Sequence, residues 1–103
     1  GNDVFINTAS EIDGVPSSWP GRSLTVGDRG NKVLQLPQQL NRIGRNYPAL
    51  PYINPDGVYG TQTANAVEVF QRIFNLPANG ITDFATWYEV SDIYVGVSRI
   101  AEP

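Results

Sequence analysis

Histidine, cysteine and methionine are all missing from this chain of 103 residues. Without histidine or cysteine, a zinc site would need carboxylates alone, which bind zinc poorly. Serine–histidine and cysteine–histidine nucleophiles are excluded for the same reason. The lack of cysteine leaves the redox compartment open. With no methionine at position 1, the chain reads as a processed or excised piece of something longer. Charge is sparse too. Only 17% of residues are charged and the net charge is −3, with the few basic residues scattered. That balance argues against nucleic acid, whose phosphates require a basic face. No apolar run approaches the roughly 20 residues needed to cross a bilayer, and nothing else points to a membrane.

What remains is a globular composition. Apolar residues make up 41% of the chain, and a chain this long buries roughly two-thirds of its unfolded surface, enough for one core. Residues 1–23 read as a lead-in or linker: "VFINTASEI" has some β-branched character, with a short strand conceivable at 4–6, and "DGVPSSWPG" is turn chemistry. A domain is expected over 24–103.

Val33, Leu36, Leu40 and Ile43 recur at helical steps and predict a first helix. Pro37 falls inside it and removes one backbone bond, so a kink is expected there, the alternative being a regular helix that starts only near Leu36. Residues 45–60 hold three of the eight prolines and no period, which predicts a long loop. Thr63, Ala66, Val67, Phe70 and Phe74 share one face of a second helix; Gln62, Asn65, Glu68 and Arg72 share the other. Asp83 is placed to cap a third helix with Ala85, Thr86, Trp87, Val90 and Ile93 or Tyr94 facing inward. The tail "IYVGVSRIAEP" suits continued helix better than strand. The expected fold is all-α, a compact three-helix bundle with a long loop between helices 1 and 2 and an extended N-terminal lead-in.

A turn-to-helix unit occurs twice. "PDGVYGTQTANAVEVFQ" begins at Pro55 and a weaker copy, "ANGITDFATWYEV", at Ala78. Asp56, Gly57, Val58, Thr63 and Val67 align with Asn79, Gly80, Ile81, Thr86 and Val90. Asp or Asn followed by Gly makes a turn whose glycine accepts positive φ. Gly60 and Asp83 fall at N-cap positions. Two such units would set two helix starts side by side, their turn backbones lining a common groove.

"LTVGDRGNKVLQLPQQLNRIG", "DGVYGTQTANAVEVFQRIFNLPANGI" and the "TW" at 86–87 together resemble the three-helix bacterial peptidoglycan-binding domain over about residues 24–92. The family pattern is Val-x-x-Leu-Gln-x-x-Leu, then Asp-Gly-x-Phe-Gly-x-x-Thr-x-x-Ala-Val-x-x-Phe-Gln, then Asp-Gly-x-x-Gly-x-x-Thr-Trp. Departures are Pro37 for Gln, Tyr59 for Phe, Asn79 for Asp, Asp83 for Gly, and a longer, proline-rich loop. The resemblance implies a non-catalytic module, without cofactor or metal, that binds peptidoglycan through its glycan strand or stem peptide. It further implies attachment to a cell-wall hydrolase or a wall or spore protein, tandem copies, and a location outside the cell or in the wall.

Six residues are candidates for holding that ligand. Tyr47 and Tyr52 stand in the long loop, where burial is hard to arrange. Tyr59 suits the core with its hydroxyl at the surface. Gln62 and Asn65 lie on the polar face beside the repeated turn, and Arg29, with Asp28, stands near the first helix start. Asp56 suits holding its own turn, and Trp87 the core. Glu68 and Glu89 are the only helical glutamates, and neither carries a sequence sign of the raised pKa that a glycosidase acid needs. The competing reading is a protein-docking or structural spacer module. The prodomain version of the architecture is disfavoured, because its inhibitory cysteine is absent.

Overall fold

A computed structural model describes residues 19–101, with side chains as far as Ser98. The conceivable strand at 4–6 and most of the lead-in lie outside the described residues. Three helices follow one another: α1, Asn31–Gly44; α2, Thr61–Ile73; and α3, Phe84–Ala101. The described residues contain no strand, only two isolated antiparallel bridges, Leu24 with Thr82 and Arg29 with Val58.

The helical stripes build the core as their spacing requires. From α1 come Val33, Leu36, Leu40 and Ile43, and from α2 come Thr63, Ala66, Val67 and Phe70. Trp87, Val90 and Val97 supply the α3 side. Phe74, Ile93 and Tyr94 pack half-buried against this centre. Ala85 is the exception: it is exposed, because the inward stripe of α3 runs through Thr86, Trp87, Val90 and Val97. Helix α1 packs along α3, and Arg42 ties the two by donating from Nη2 to the Val97 carbonyl at 2.9 Å.

Pro37 neither ends nor delays α1. The helix starts at Asn31 and runs through the proline, whose ring is buried. Helix α2 ends in a Schellman arrangement, with Asn75 at φ 61°. There the Leu76 N–H donates to the Gln71 carbonyl at 2.8 Å, and the Asn75 N–H donates to Arg72 at 3.4 Å. Helix α3 continues into the ambiguous tail as far as Ala101. Ahead of α1, Trp19 sets its ring edge-on against Phe84 (5.4 Å between centroids) and Trp87 (6.1 Å), so the end of the lead-in covers the head of α3.

The short segment 24–30 stitches the two copies of the turn together. Leu24 exchanges both backbone bonds with Thr82, at 3.0 and 2.9 Å. Gly27 donates to the Tyr59 carbonyl (2.9 Å), Tyr59 donates to Asp28 (2.9 Å), and Gly30 donates to Gly57 (3.1 Å). Both turn glycines have positive φ, 79° at Gly57 and 76° at Gly80. Their surroundings differ. A Cβ at Gly57 would meet only the Gly30 oxygen at 3.8 Å, whereas one at Gly80 would lie 3.1 Å from the Ala64 carbonyl of α2.

Alanine at either glycine carries the left-handed strain of about 1–2 kcal/mol, but Gly80→Ala adds a backbone clash. Thermal melts are therefore expected to show Gly57→Ala a few degrees below the parent and Gly80→Ala clearly lower still. Equal melting temperatures for the two variants would contradict the close approach.

Candidate functional site

Each turn is held first by its own side chain. Asp56 Oδ1 accepts from the Val58 N–H at 3.1 Å, and Asn79 Oδ1 accepts from the Ile81 N–H at 2.9 Å. These are matching Asx turns at matching positions of the repeat. Asp56 thus holds its turn, as its position in the sequence suggests.

A helix side-chain amide then grips the backbone of each loop. On α1, Asn41 Nδ2 donates to the Ile53 carbonyl (2.8 Å) and its Oδ1 accepts from the Ile53 N–H (2.9 Å). On α2, Gln71 is 1% exposed. Its Oε1 accepts from the Asn79 and Gly80 N–H groups, both at 2.9 Å. Its Nε2 donates to the Ile81 carbonyl and Thr86 Oγ1, both at 3.0 Å, with Asn79 Oδ1 at 3.2 Å. Neither amide was picked out by the helical period alone. The signal available for Gln71 was its place in the Phe-Gln pair ending the middle motif.

The two copies meet through Tyr59. Its ring is fully buried, its hydroxyl donates to the Gly80 carbonyl at 2.7 Å, and Thr82 Oγ1 lies 2.9 Å away. The expectation of a surface hydroxyl at Tyr59 is corrected: the phenol faces inward because the second turn lies over it. Burial is the main cause that pushes its pKa from 10.0 to about 12, against the opposing bond with Thr82.

The two helix starts differ. Asp83 caps α3, accepting from the Thr86 N–H at 2.9 Å. Gly60 offers α2 no side chain, and only the Thr63 hydroxyl reaches back, accepting from the Gly60 N–H at 3.4 Å. The first-turn N–H groups of α2 therefore have no acceptor within the helix. Two adjoining grooves open at this start, with volumes of about 270 and 410 Å³. One is lined by Ile53, Asn54, Asp56, Val58, Gly60 and the first turn of α2. The other is lined by Pro51, Tyr52, Thr61, Gln62 and Asn65. Neither takes a lining residue from the second turn, so the common groove expected of both turns is built from the first turn, the long loop and α2.

Three of the six candidate residues are brought together here. Tyr52 is 74% exposed beside Gln62 and Asn65, themselves exposed on α2. The other three lie elsewhere. Tyr47 is half-buried, its ring against Phe74 with centroids 5.2 Å apart. Tyr59 is enclosed. Arg29 is exposed and pairs through its backbone with Val58, outside the lining of either groove. Its neighbour Asp28 is committed to the Thr25 N–H at 2.8 Å and to Arg22 at 3.2 Å, and those bonds, that to Thr25 first, lower its pKa. Glu68 pairs with Arg72 one turn along α2. Among the described residues no group of three or more acidic side chains is placed to hold a metal.

The family model of the peptidoglycan binding domain matches residues 29–89, from the Arg29–Val58 bridge through the head of α3. This chain belongs to the peptidoglycan-binding domain family. The solved structure of the SleB N-terminal domain is similar to it, with a TM-score of 0.63 at 25% identity over 74% of this chain and 97% of that one. The fold described above is thus one that the SleB N-terminal domain shares. The module is a non-catalytic one that binds the cell wall, and peptidoglycan is its partner. In this peptidoglycan-binding domain, Gly80 and the family Phe-Gln glutamine serve the second turn, while the first turn, which holds Gly57, borders the open grooves.

Two measurements test this architecture. Gln71→Ala strands two N–H groups, a carbonyl and a hydroxyl in a buried place, at about 1–3 kcal/mol for each group left unpaired. The variant is expected to lose several kcal/mol in chemical denaturation, and a loss below about 1 kcal/mol would show that water replaces the amide. For Tyr59, the phenol stays protonated in both folded and unfolded states below pH 10, and its contribution is intact there. Between pH 10 and about 12 the unfolded chain ionises first, so stability falls as pH rises. Denaturation curves of Tyr59→Phe are expected to begin less stable at neutral pH and to lack that part of the alkaline decline. Parallel pH curves for parent and variant would refute the burial of the hydroxyl.

Proposed function

We propose that the paired grooves at the start of α2 are where this module holds peptidoglycan, with Tyr52 as a platform and Gln62 and Asn65 as hydrogen-bonding arms. The observation that carries this reading is their convergence. An aromatic ring exposed at 74% stands over a recess with two solvent-facing amides and the uncapped first turn of a helix. Large exposed rings are costly to leave in water, and beside concave polar surface they mark recognition sites. Side-chain bonds to the backbone preorganise the recess: Asn41 fixes Ile53 on one wall, and Asp56 fixes Val58 on the other. Little ordering cost therefore falls on binding.

The ligand meets a shallow surface, so single-site affinity is weak. Retention on the wall then depends on attachment to further domains or to further copies of the module, which raise the effective concentration. In this reading the module acts outside the cell, anchoring an attached wall hydrolase or a wall or spore protein on its polymeric substrate.

Purified insoluble sacculi, with cellulose as the control polymer, provide the test. The protein is expected to sediment with sacculi and not with cellulose, releasing no soluble muropeptides. Gln62→Ala with Asn65→Ala is expected to reduce retention about tenfold or more, two lost bonds at about 1 kcal/mol each. The melting temperature should hardly move, since both positions are exposed and alanine favours helix. Unchanged retention by the double variant would place the site on another face. Complete recovery of the folded parent in the supernatant would remove the wall-binding assignment for this chain.

A further inference from the structure

The grooves at the start of α2 are nearly free of charge, and that decides which part of the polymer they suit. Among the described residues that line them only Asp56 is charged, and one of its oxygens is occupied by the Val58 N–H. No lysine or arginine among the described residues lines either groove. The nearest basic residue by backbone pairing, Arg29, bridges Val58 from outside the lining. What the lining offers instead is neutral: the amides of Asn54, Gln62 and Asn65, the hydroxyl of Thr61, and the ring of Tyr52.

The polymer has two chemically distinct parts. Its glycan strand is a run of uncharged sugars bearing hydroxyls and acetamido groups. Its stem peptides carry free carboxylates, with or without an amine. A carboxylate leaving water requires a cation or several charge-assisted donors in return, and recognition of one is normally built around arginine or lysine. Placing it beside Asp56 with no cation adds like-charge repulsion. An acetamido group asks for one donor and one acceptor, which a side-chain amide supplies at once. The free N–H groups in the first turn of α2 serve a neutral carbonyl equally well. The C–H face of a sugar ring matches the exposed face of Tyr52.

We infer that these grooves bind the N-acetylated glycan strand of peptidoglycan, through acetamido and hydroxyl groups stacked beside Tyr52, and not the charged stem peptide. The inference rests on the location given under Proposed function. Its occupant is a neutral oligosaccharide, and binding is largely independent of ionic strength, since no pair of opposite charges is formed.

The test combines two assays on the intact chain. In the first, retention on untreated sacculi is compared with retention on insoluble chitin, an uncharged N-acetylglucosamine polymer that bears no stem peptide, at low and high salt. Retention on both, unchanged by salt, is expected. In the second, backbone and tyrosine-ring NMR shifts are followed with three probes: a short N-acetylglucosamine oligomer, the same oligomer with its acetyl groups removed, and a synthetic stem tetrapeptide. Shifts at Tyr52, Gln62 and Asn65 are expected with the acetylated oligomer. The deacetylated one should bind at least about tenfold more weakly. The tetrapeptide should leave those residues unmoved. Absence of retention on chitin, loss at high salt, or tetrapeptide shifts at the groove would overturn the glycan assignment while leaving wall binding in place. Oligomer shifts confined to another face would overturn the location itself. Failure to bind untreated sacculi would reject the module reading on separate grounds.

Discussion

A turn whose backbone donors face inward has to find acceptors inside the protein, and Gln71 is where this fold finds them. The second turn lies against the first turn of α2, close enough that a Cβ at Gly80 would press on the Ala64 carbonyl. So near to a helix, the Gly80 N–H bond is buried and the Asn79 N–H bond partly so, and a missing partner costs more than a made bond returns. One buried side-chain amide accepts from both and donates back to the far side of the same turn. Much else follows from that grip. With the turn seated, Thr82 is brought to Leu24, the Gly80 carbonyl is brought to the Tyr59 hydroxyl, and the two copies of the repeat become one unit.

The duplicated unit has diverged in use. In the second copy Asp83 closes the helix start, Gln71 fills the space behind the turn, and Thr82 and Thr86 are buried. That copy is interior architecture. In the first copy Gly60 leaves the helix start uncapped, and the proline-rich loop, pinned by Asn41, stands away from α2. The result is a recess where the second copy has solid packing. A recess on a small domain thus arises where one half of a repeat leaves its polar backbone to solvent, while the other half supplies the packed scaffold.

Much of the fold could be seen in the residue order. The helical steps from Val33 to Ile43 and from Thr63 to Phe70 named the buried stripes, because a stripe of that period has only one way to hide its apolar surface. Asp83 was recognisable as a cap, and both Asx-Gly turns as turns, since these are local bonds within a few residues. Pro37 was less tractable: its local penalty is real, yet α1 runs through it with the residue buried. Of the site, Tyr52, Gln62 and Asn65 were visible as loop and polar-face residues. Tyr47 was not separable from Tyr52, and Tyr59 read as core but with its hydroxyl at the surface. Whether a tyrosine is platform or core depends on what lies above its ring, which spacing along the chain does not specify.

By itself the sequence determined the number of helices, their inward faces, the two bends that launch α2 and α3, and membership of a wall-binding family. All of these rest on interactions between residues a few positions apart, or on a motif whose offsets are fixed. Only the tertiary structure decided that Gln71 and Asn41 hold the loops, that the Tyr59 hydroxyl is enclosed, and that the open recess belongs to the first copy alone. These depend on pairs far apart in the chain, such as Tyr59 with Gly80 and Leu24 with Thr82. Hydrogen bonds of that kind are set by which surfaces come within about 3 Å when the helices pack, and no local preference of the chain encodes that distance.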